Sequence, residues 1–249
     1  MDINNAYVRD AILYYTIQQY FNCNDKKTSQ FIAQLDQFNY RSGLIHNIPY
    51  LSLQLHVSEK DFYHTYLRVK DSFKTLPENV ILVKKGDEIY SKLLAVIPTA
   101  PPYLFLKGNV RLLNEKSVSV VGSRNASMEA MEKTEKLVKA LVKRNIVVNA
   151  GLAKGIDTIT HQTALQNNGR TIAVIGTPIN QYYPKENKDL QLAIEKHGLV
   201  VSQFPPCNKV NKWNFPTRNA TMSGISIATI IMEAGEKSGA LRQADHCIK

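Results

Sequence analysis

The chain has 249 residues, and 31 Lys+Arg against 21 Asp+Glu give it a formal charge of +10. Hydrophobic residues make up 44% and charged residues 21%, near globular averages, which excludes wholesale disorder. Apolar runs are no longer than stretches such as residues 227–232, short of the roughly 18 residues a membrane span needs. No membrane association is expected. The opening Met1-Asp2-Ile3-Asn4-Asn5 lacks a basic segment followed by an apolar one, so no secretory signal is read. Cys23, Cys207 and Cys247 are odd in number, far apart and without C-x-x-C spacing, against a disulfide framework or a cysteine zinc site. The expectation is a soluble, cytoplasmic protein of one large domain, or one ordinary domain with a small companion.

The charge is unevenly placed. Residues 1–100 carry 11 basic and 10 acidic side chains, a net of +1, whereas residues 101–249 carry 20 and 11, a net of +9. Excess positive charge gathered in one part of a chain points to a polyanionic partner, nucleic acid above all.

In chain order, residues 8–21 place Val8, Ile12 and Tyr15 at helical spacing, with Leu13, Ile17 and Tyr20 beside them. Residues 28–38 repeat the pattern with Phe31, Ile32, Leu35 and Phe38. A third helix opens at Ser58, with Asp61 three residues on as in a capping box. It aligns Phe62, Tyr66, Val69, Phe73 and Leu76 on one stripe, which reads as core rather than as a base-stacking surface. These segments predict a helical amino-terminal domain over residues 1–76.

From Pro77 the texture changes. Pro98-Thr99-Ala100-Pro101-Pro102 is a rigid extended turn, because proline fixes its own φ and moves the residue before it away from helix. Beyond it, residues 117–121, 146–149, 171–175, 199–203 and 227–232 are β-branched, nearly continuous apolar runs, the pattern of strands covered on both faces. Residues 126–144 form an amphipathic helix with Met128, Met131, Leu137, Val138 and Leu141 expected inward. Strand–helix alternation predicts an α/β fold over residues 77–249, a Rossmann-like, doubly wound parallel sheet.

Ligands in such sheets bind beyond the carboxyl ends of the strands, near a topological switch point. The residues there are Gly122-Ser123-Arg124, then Gly151-Leu152-Ala153-Lys154-Gly155-Ile156-Asp157, then Gly176-Thr177-Pro178, and after the last strand Glu233-Ala234-Gly235-Glu236-Lys237-Ser238-Gly239. Glycines let an anion approach the backbone, helix starts offer N–H groups, and Arg124, Lys154 and Lys237 add charge. The competing reading is that glycines simply end strands. G-x-G-x-x-G after the first strand and G-x-x-x-x-G-K-[ST] are both absent, so neither a dinucleotide enzyme nor a P-loop ATPase is expected.

Asp157 and His161 are four residues apart, but two groups make no metal site, and the pair reads as a capping acid with a buried histidine. No nucleophile motif is present, and no catalytic residue, metal or cofactor is expected. Glu233 is the carboxylate best placed for a pocket, with pairing to a cation as the alternative. Trp213 and Phe215, next to Lys209, Lys212 and Arg218, are either a base-stacking surface or buried anchors of a loop.

Gly122-Ser123-Arg124, the Gly151–Asp157 run, Tyr183-Pro184, Asn187, Phe215-Pro216-x-Arg218-Asn219 and Ser238-Gly239-Ala240-Leu241 follow the order and spacing of the DNA-processing protein A (DprA/Smf) family. With Ile97-Pro98, Pro101-Pro102 and Leu106-x-Gly108 upstream, the chain resembles that family over residues 88–245. The resemblance implies a non-enzymatic protein that binds and protects single-stranded DNA and helps load the RecA recombinase in natural transformation. A homodimer is a further implied assembly. Ser123, Arg124, Lys154 and Arg218 would contact phosphate. Gly122, Gly151, Gly155, Asn219, Lys237, Ser238 and Gly239 would complete the groove.

The sequence departs from the family pattern at Ala220, where a second arginine is usual after Arg218-Asn219, and at Gln203, where glutamate is more frequent. The amino-terminal helices lack the G-I-G hairpin of some members. The chain ends at Lys249, a few residues into the helix after Ser238-Gly239. The expectation is that an edge strand is missing, with any dimer or recombinase contact made there. Two alternatives stand beside this reading. One is a nucleotide-binding enzyme or sensor resembling phosphoribohydrolases, although their P-G-G-x-G-T-x-x-E is replaced by the Glu233–Gly239 segment. The other is a degenerate interaction module.

Overall fold

The computed structural model describes residues 2–3, 5–35 and 44–234. They fall into two compact units. One is Met1–Glu78 with Pro205–Cys207, and the other is Asn79–Phe204 with the described residues from Asn208 onward.

The first unit holds α1 (Ala6–Gln19), α2 (Asp25–Ala33), α3 (Leu44–Leu55) and α4 (Glu59–Lys74). Each start has a polar cap where one is described: Asn5 accepts from the Tyr7 N–H at 2.8 Å and Asn24 from the Lys27 N–H at 3.0 Å. Ser58 accepts from the Asp61 N–H at 3.0 Å and donates its hydroxyl to the Asp61 carboxylate at 2.7 Å. The box is therefore closed by the two side chains. Phe62, Tyr66, Val69, Phe73 and Leu76 are all buried, as the stripe predicts, and Leu13, Ile17, Leu35 and Leu51 pack in the same core with Phe62. The predicted second helix starts earlier, at Asp25. Its proposed apolar residue Phe38 lies outside the described residues. The helix α3 is not anticipated by periodicity, since Pro49 interrupts the pattern within it.

The second unit is built on one seven-stranded sheet: β1 (Ile81–Lys84), β2 (Tyr103–Gly108), β3 (Ser117–Val121), β4 (Val147–Ala150), β5 (Thr171–Ile175), β6 (Leu199–Ser202) and β7 (Ala228–Ile231). The spatial order is β1-β2-β6-β5-β4-β3-β7. The strands from β6 to β7 are parallel, which is the predicted Rossmann-like core. The sequence does not predict β2, which pairs antiparallel with β6, or β1, which pairs antiparallel with β2 at the sheet edge. A largely buried ion pair between Lys107 of β2 and Glu195, at 2.7 Å, joins this antiparallel extension to a helix covering the parallel strands.

The helices are α5 (Lys92–Ala95), α6 (Met128–Lys143), α7 (Ile156–Gln166), α8 (Lys188–His197) and α9 (Asn214–Gly224). Alternation along β3 and β4 assigns the two faces. Val118, Val120 and Val148 point into the layer made with Val138 and Leu141 of α6 and Ala164 of α7. Val121 and Val147 point to the other layer, with Leu94 of α5 and Met222 of α9. Both faces being covered explains the continuous apolar runs. On α6, Val138 and Leu141 are buried, but Met128 is 71% exposed, contrary to expectation. It is the first residue of the helix, and Ala130, two residues on, is the one that turns into the core.

Candidate functional site

The carboxyl ends of β3, β4 and β5 open into a cleft. Arg124 enters from the loop after β3, Gly151 to Lys154 from the loop after β4, and Gly176 from the loop after β5. Tyr183, Pro184, Phe215 and Arg218 complete the lining. The cleft thus lies where the strand-end rule directs attention. The switch point between β3 and β7 does not mark the place, because α9 packs on β5 and carries Phe215 and Arg218 over that strand's end.

The floor is a buried polar lattice. Asp157, near the start of α7, accepts from the Gly151 and Ala153 N–H groups at 3.1 and 3.2 Å. Arg218 is only 4% exposed, and its Nη1 donates to the carbonyls of Gly151 and Val174 while Nε donates to Asn219 Oδ1 at 3.1 Å. Burial pushes the Arg218 guanidinium down to about 10, with Asp157 opposing and Arg124 adding to the effect, so it stays cationic at neutral pH. Burial raises the Asp157 carboxyl, against the pull of Arg218 and the two N–H donors. Arg218 thus ties the loop after β4 to strand β5, where the sequence suggests only a phosphate contact.

Neighbouring amides lock the loops. Asn187 is buried, and its Nδ2 donates to the Leu152 carbonyl at 3.0 Å, the Ala153 carbonyl at 3.3 Å and Thr158 Oγ1 at 2.9 Å. Asn214 donates likewise to the Gly176 carbonyl at 3.0 Å. Gly155 has φ +72°, and a Cβ there would collide with the Ser123 carbonyl, to which the Ile156 N–H donates at 3.2 Å. Gly122 instead packs on α7, where a Cβ would fall 2.7 Å from Ile156.

At the rim the chemistry is accessible. Arg124 is exposed, with its guanidinium 5.8 Å from the centroid of the Phe215 ring, and among the described residues it forms no ion pair. The half-buried Phe215 ring packs tilted against Tyr183, with centroids 5.3 Å apart, and Tyr183 is 49% exposed. Tyr183 is an aromatic partner that the sequence does not reveal, being 32 residues from Phe215. Lys154 is exposed and paired with Glu186 at 2.7 Å.

Arg124, Gly151, Lys154, Phe215 and Arg218 are thus brought together. Gly122, Ser123, Gly155 and Asn219 stand behind the lining. Trp213 is 75% exposed and outside it. Lys237, Ser238 and Gly239 lie outside the described residues.

Among the described residues Glu233 forms no ion pair. Its carboxylate accepts from the Ser127 hydroxyl at 2.6 Å and N–H at 3.1 Å, at the start of α6. Those bonds hold its carboxyl below the usual range. His161 is fully buried with Nδ1 2.7 Å from Thr171 Oγ1, and burial, then Arg218, pushes it down to about 3. Burial raises the thiols of Cys23 and Cys207, the latter to about 11, away from the thiolate character a nucleophile needs. Among the described residues no group of three His, Cys, Asp or Glu side chains could hold a metal ion. Nor is any described helix long and apolar enough to cross a membrane.

Fold and site together define a Rossmann-like α/β protein whose strand-end loops gather a cation and an aromatic pair around one opening. The sequence pattern of DNA recombination-mediator protein A matches residues 81–249. The DNA processing protein DprA of Streptococcus pneumoniae is 41% identical over 185 residues, 72% of this chain and 64% of that protein. The crystal structure of S. pneumoniae DprA superposes with a TM-score of 0.75 at 33% identity, covering 95% of this chain and 83% of that one. DprA from Helicobacter pylori, described for its single-stranded DNA binding mode, gives a TM-score of 0.61 at 25% identity, over 67% of this chain and 75% of that one. The chain belongs to the DNA recombination-mediator protein A family, the DprA/Smf proteins. It spans less than two thirds of the length of the curated relatives it matches.

Proposed function

We propose that this protein binds single-stranded DNA along the cleft over β4 and β5, without catalytic turnover. The observation that carries the reading is Arg124 lying over Phe215, itself packed against Tyr183, at the rim of a glycine-lined cleft. A cation beside accessible aromatics is the combination that holds a strand through phosphate contact and base stacking. The name of the H. pylori relative and the net +9 of residues 101–249 point the same way.

Within this proposal Arg124 is the direct phosphate contact. Lys154 supplies a second, and Phe215 with Tyr183 supplies the stacking platform. Gly151, Asp157, Asn187 and Arg218 shape the floor. Trp213 extends the aromatic surface, and Lys237, Ser238 and Gly239 are expected to continue the phosphate path. Residues 1–76 act as a separate helical domain. We further propose that the protein protects incoming strands in the cytoplasm and assists loading of the recombinase, with a homodimer as its assembly.

Fluorescence anisotropy with labelled oligo-dT and a labelled duplex of equal length tests the reading. Single strands should bind more tightly. Equal affinity for the two would contradict it. Recombinase assistance is tested by the rate at which RecA coats a long single strand, with and without this protein. An unchanged rate would remove that part of the proposal.

A further inference from the structure

Lys154 and Glu186 belong to different loops, 32 residues apart, yet their side chains meet at 2.7 Å at the edge of the cleft. Both are exposed, and an ordinary surface pair of this kind holds its geometry loosely. This one is held by what lies beneath it. Asn187, adjacent to Glu186, is buried and donates to the carbonyls of Leu152 and Ala153, the two residues before Lys154. The 3-10 turn Lys185–Asn187 and the β4 loop are therefore clamped together, and the clamp presents carboxylate and ammonium to each other. The pairing draws the Glu186 carboxyl below its usual range.

We propose that Glu186 is a built-in competitor for Lys154: its carboxylate occupies the position a strand phosphate would take, and single-stranded DNA binds there by displacing it. This rests on the reading of the cleft as a single-stranded DNA site. Among the described residues lining the cleft, Arg124 is exposed and forms no ion pair, so a phosphate meets it first. Lys154 is engaged only by a ligand able to replace the carboxylate, and Glu186 thereby selects polyphosphate strands over single anions. Because the competitor and the ligand's phosphate repel each other, the penalty is largest at low salt and fades as screening rises.

The experiment compares oligo-dT binding to the wild type, Glu186→Gln, Lys154→Ala and the double variant across a salt series. Glutamine preserves shape at an exposed position, and matching melting temperatures confirm that the fold is unaffected. Glu186→Gln is expected to bind about two- to fivefold more tightly at low salt. Its log K against log[salt] slope should steepen by up to about 0.7, one phosphate's worth. In the Lys154→Ala background the same substitution should bring little gain. Unchanged affinity in Glu186→Gln, or an equal gain with and without Lys154, overturns the competition while leaving the binding site intact. Binding that is absent in every variant overturns both the competition and the single-stranded DNA reading. Binding seen in Glu186→Gln but not in the wild type supports the competition in its strongest form.

Discussion

Nη1 of Arg218 donates to the carbonyl of Gly151, and its guanidinium fills the space that a Cβ on this glycine would occupy. An arginine of α9 and a glycine of the loop after β4 thus form one unit, and each requires the other. Gly151→Ala should expel the guanidinium from its two carbonyl partners and leave them without a donor. A buried charged hydrogen bond lost in this way costs about 2 kcal/mol. Urea denaturation should register that loss, together with weaker oligo-dT binding. Unchanged stability would mean that Arg218 can leave the lattice freely.

Phe215 is half-buried, with its ring against Tyr183 and in the space left by the missing side chain of Gly176. Phe215→Leu keeps much of that packing and removes the π-face. Affinity for oligo-dT should fall by about 1–2 kcal/mol, within the range of base–aromatic stacking. The salt dependence should stay as in the wild type, because no charge has changed. A shallower salt response in Phe215→Leu would show that the ring acts by positioning Arg124.

His161 gives the protein an acid-sensitive stability. Unfolded, it titrates near its ordinary value of 6.5, whereas in the folded protein burial and then Arg218 hold it to about 3. Between those values the unfolded chain carries the extra proton, so folding loses stability as pH falls from 6.5 towards 3. From pH 7.5 to pH 5 the contribution of His161 should be a loss of about 2 kcal/mol. Burial raises the Asp157 carboxyl, which acts in the opposite sense at the acid end. His161→Gln separates the two. Urea unfolding at the two pH values should show a flatter dependence in the variant, and an equal dependence would place the titration elsewhere.

The parallel core was legible because burial on both faces writes itself into sequence as uninterrupted apolar residues, as in Ile172 to Ile175. The antiparallel extension was not. The strand β1 has mixed burial, and β2, although apolar, directly follows Pro101-Pro102, which reads as turn. Pro49 hid α3 in the same way. Arg124 and the glycine loops were legible from their position after strands. That Arg218 faces inward, and that Tyr183 meets Phe215, depends on where α9 crosses β5, a tertiary fact with no local signal. The motif segment carrying Lys237, Ser238 and Gly239 lies outside the described residues.

The central claim is that Arg124 meets a strand phosphate at the mouth of this cleft. It is tested most directly by titrating labelled oligo-dT against the wild type and Arg124→Ala over a range of salt concentrations. Arg124 is exposed and without an ion pair among the described residues, so the substitution should leave the melting temperature unchanged. Arg124→Ala should bind more weakly, with a log K against log[salt] slope shallower by about 0.7, the loss of one phosphate contact. Identical affinity and slope in the two proteins, or a wild-type affinity indifferent to salt, would contradict it.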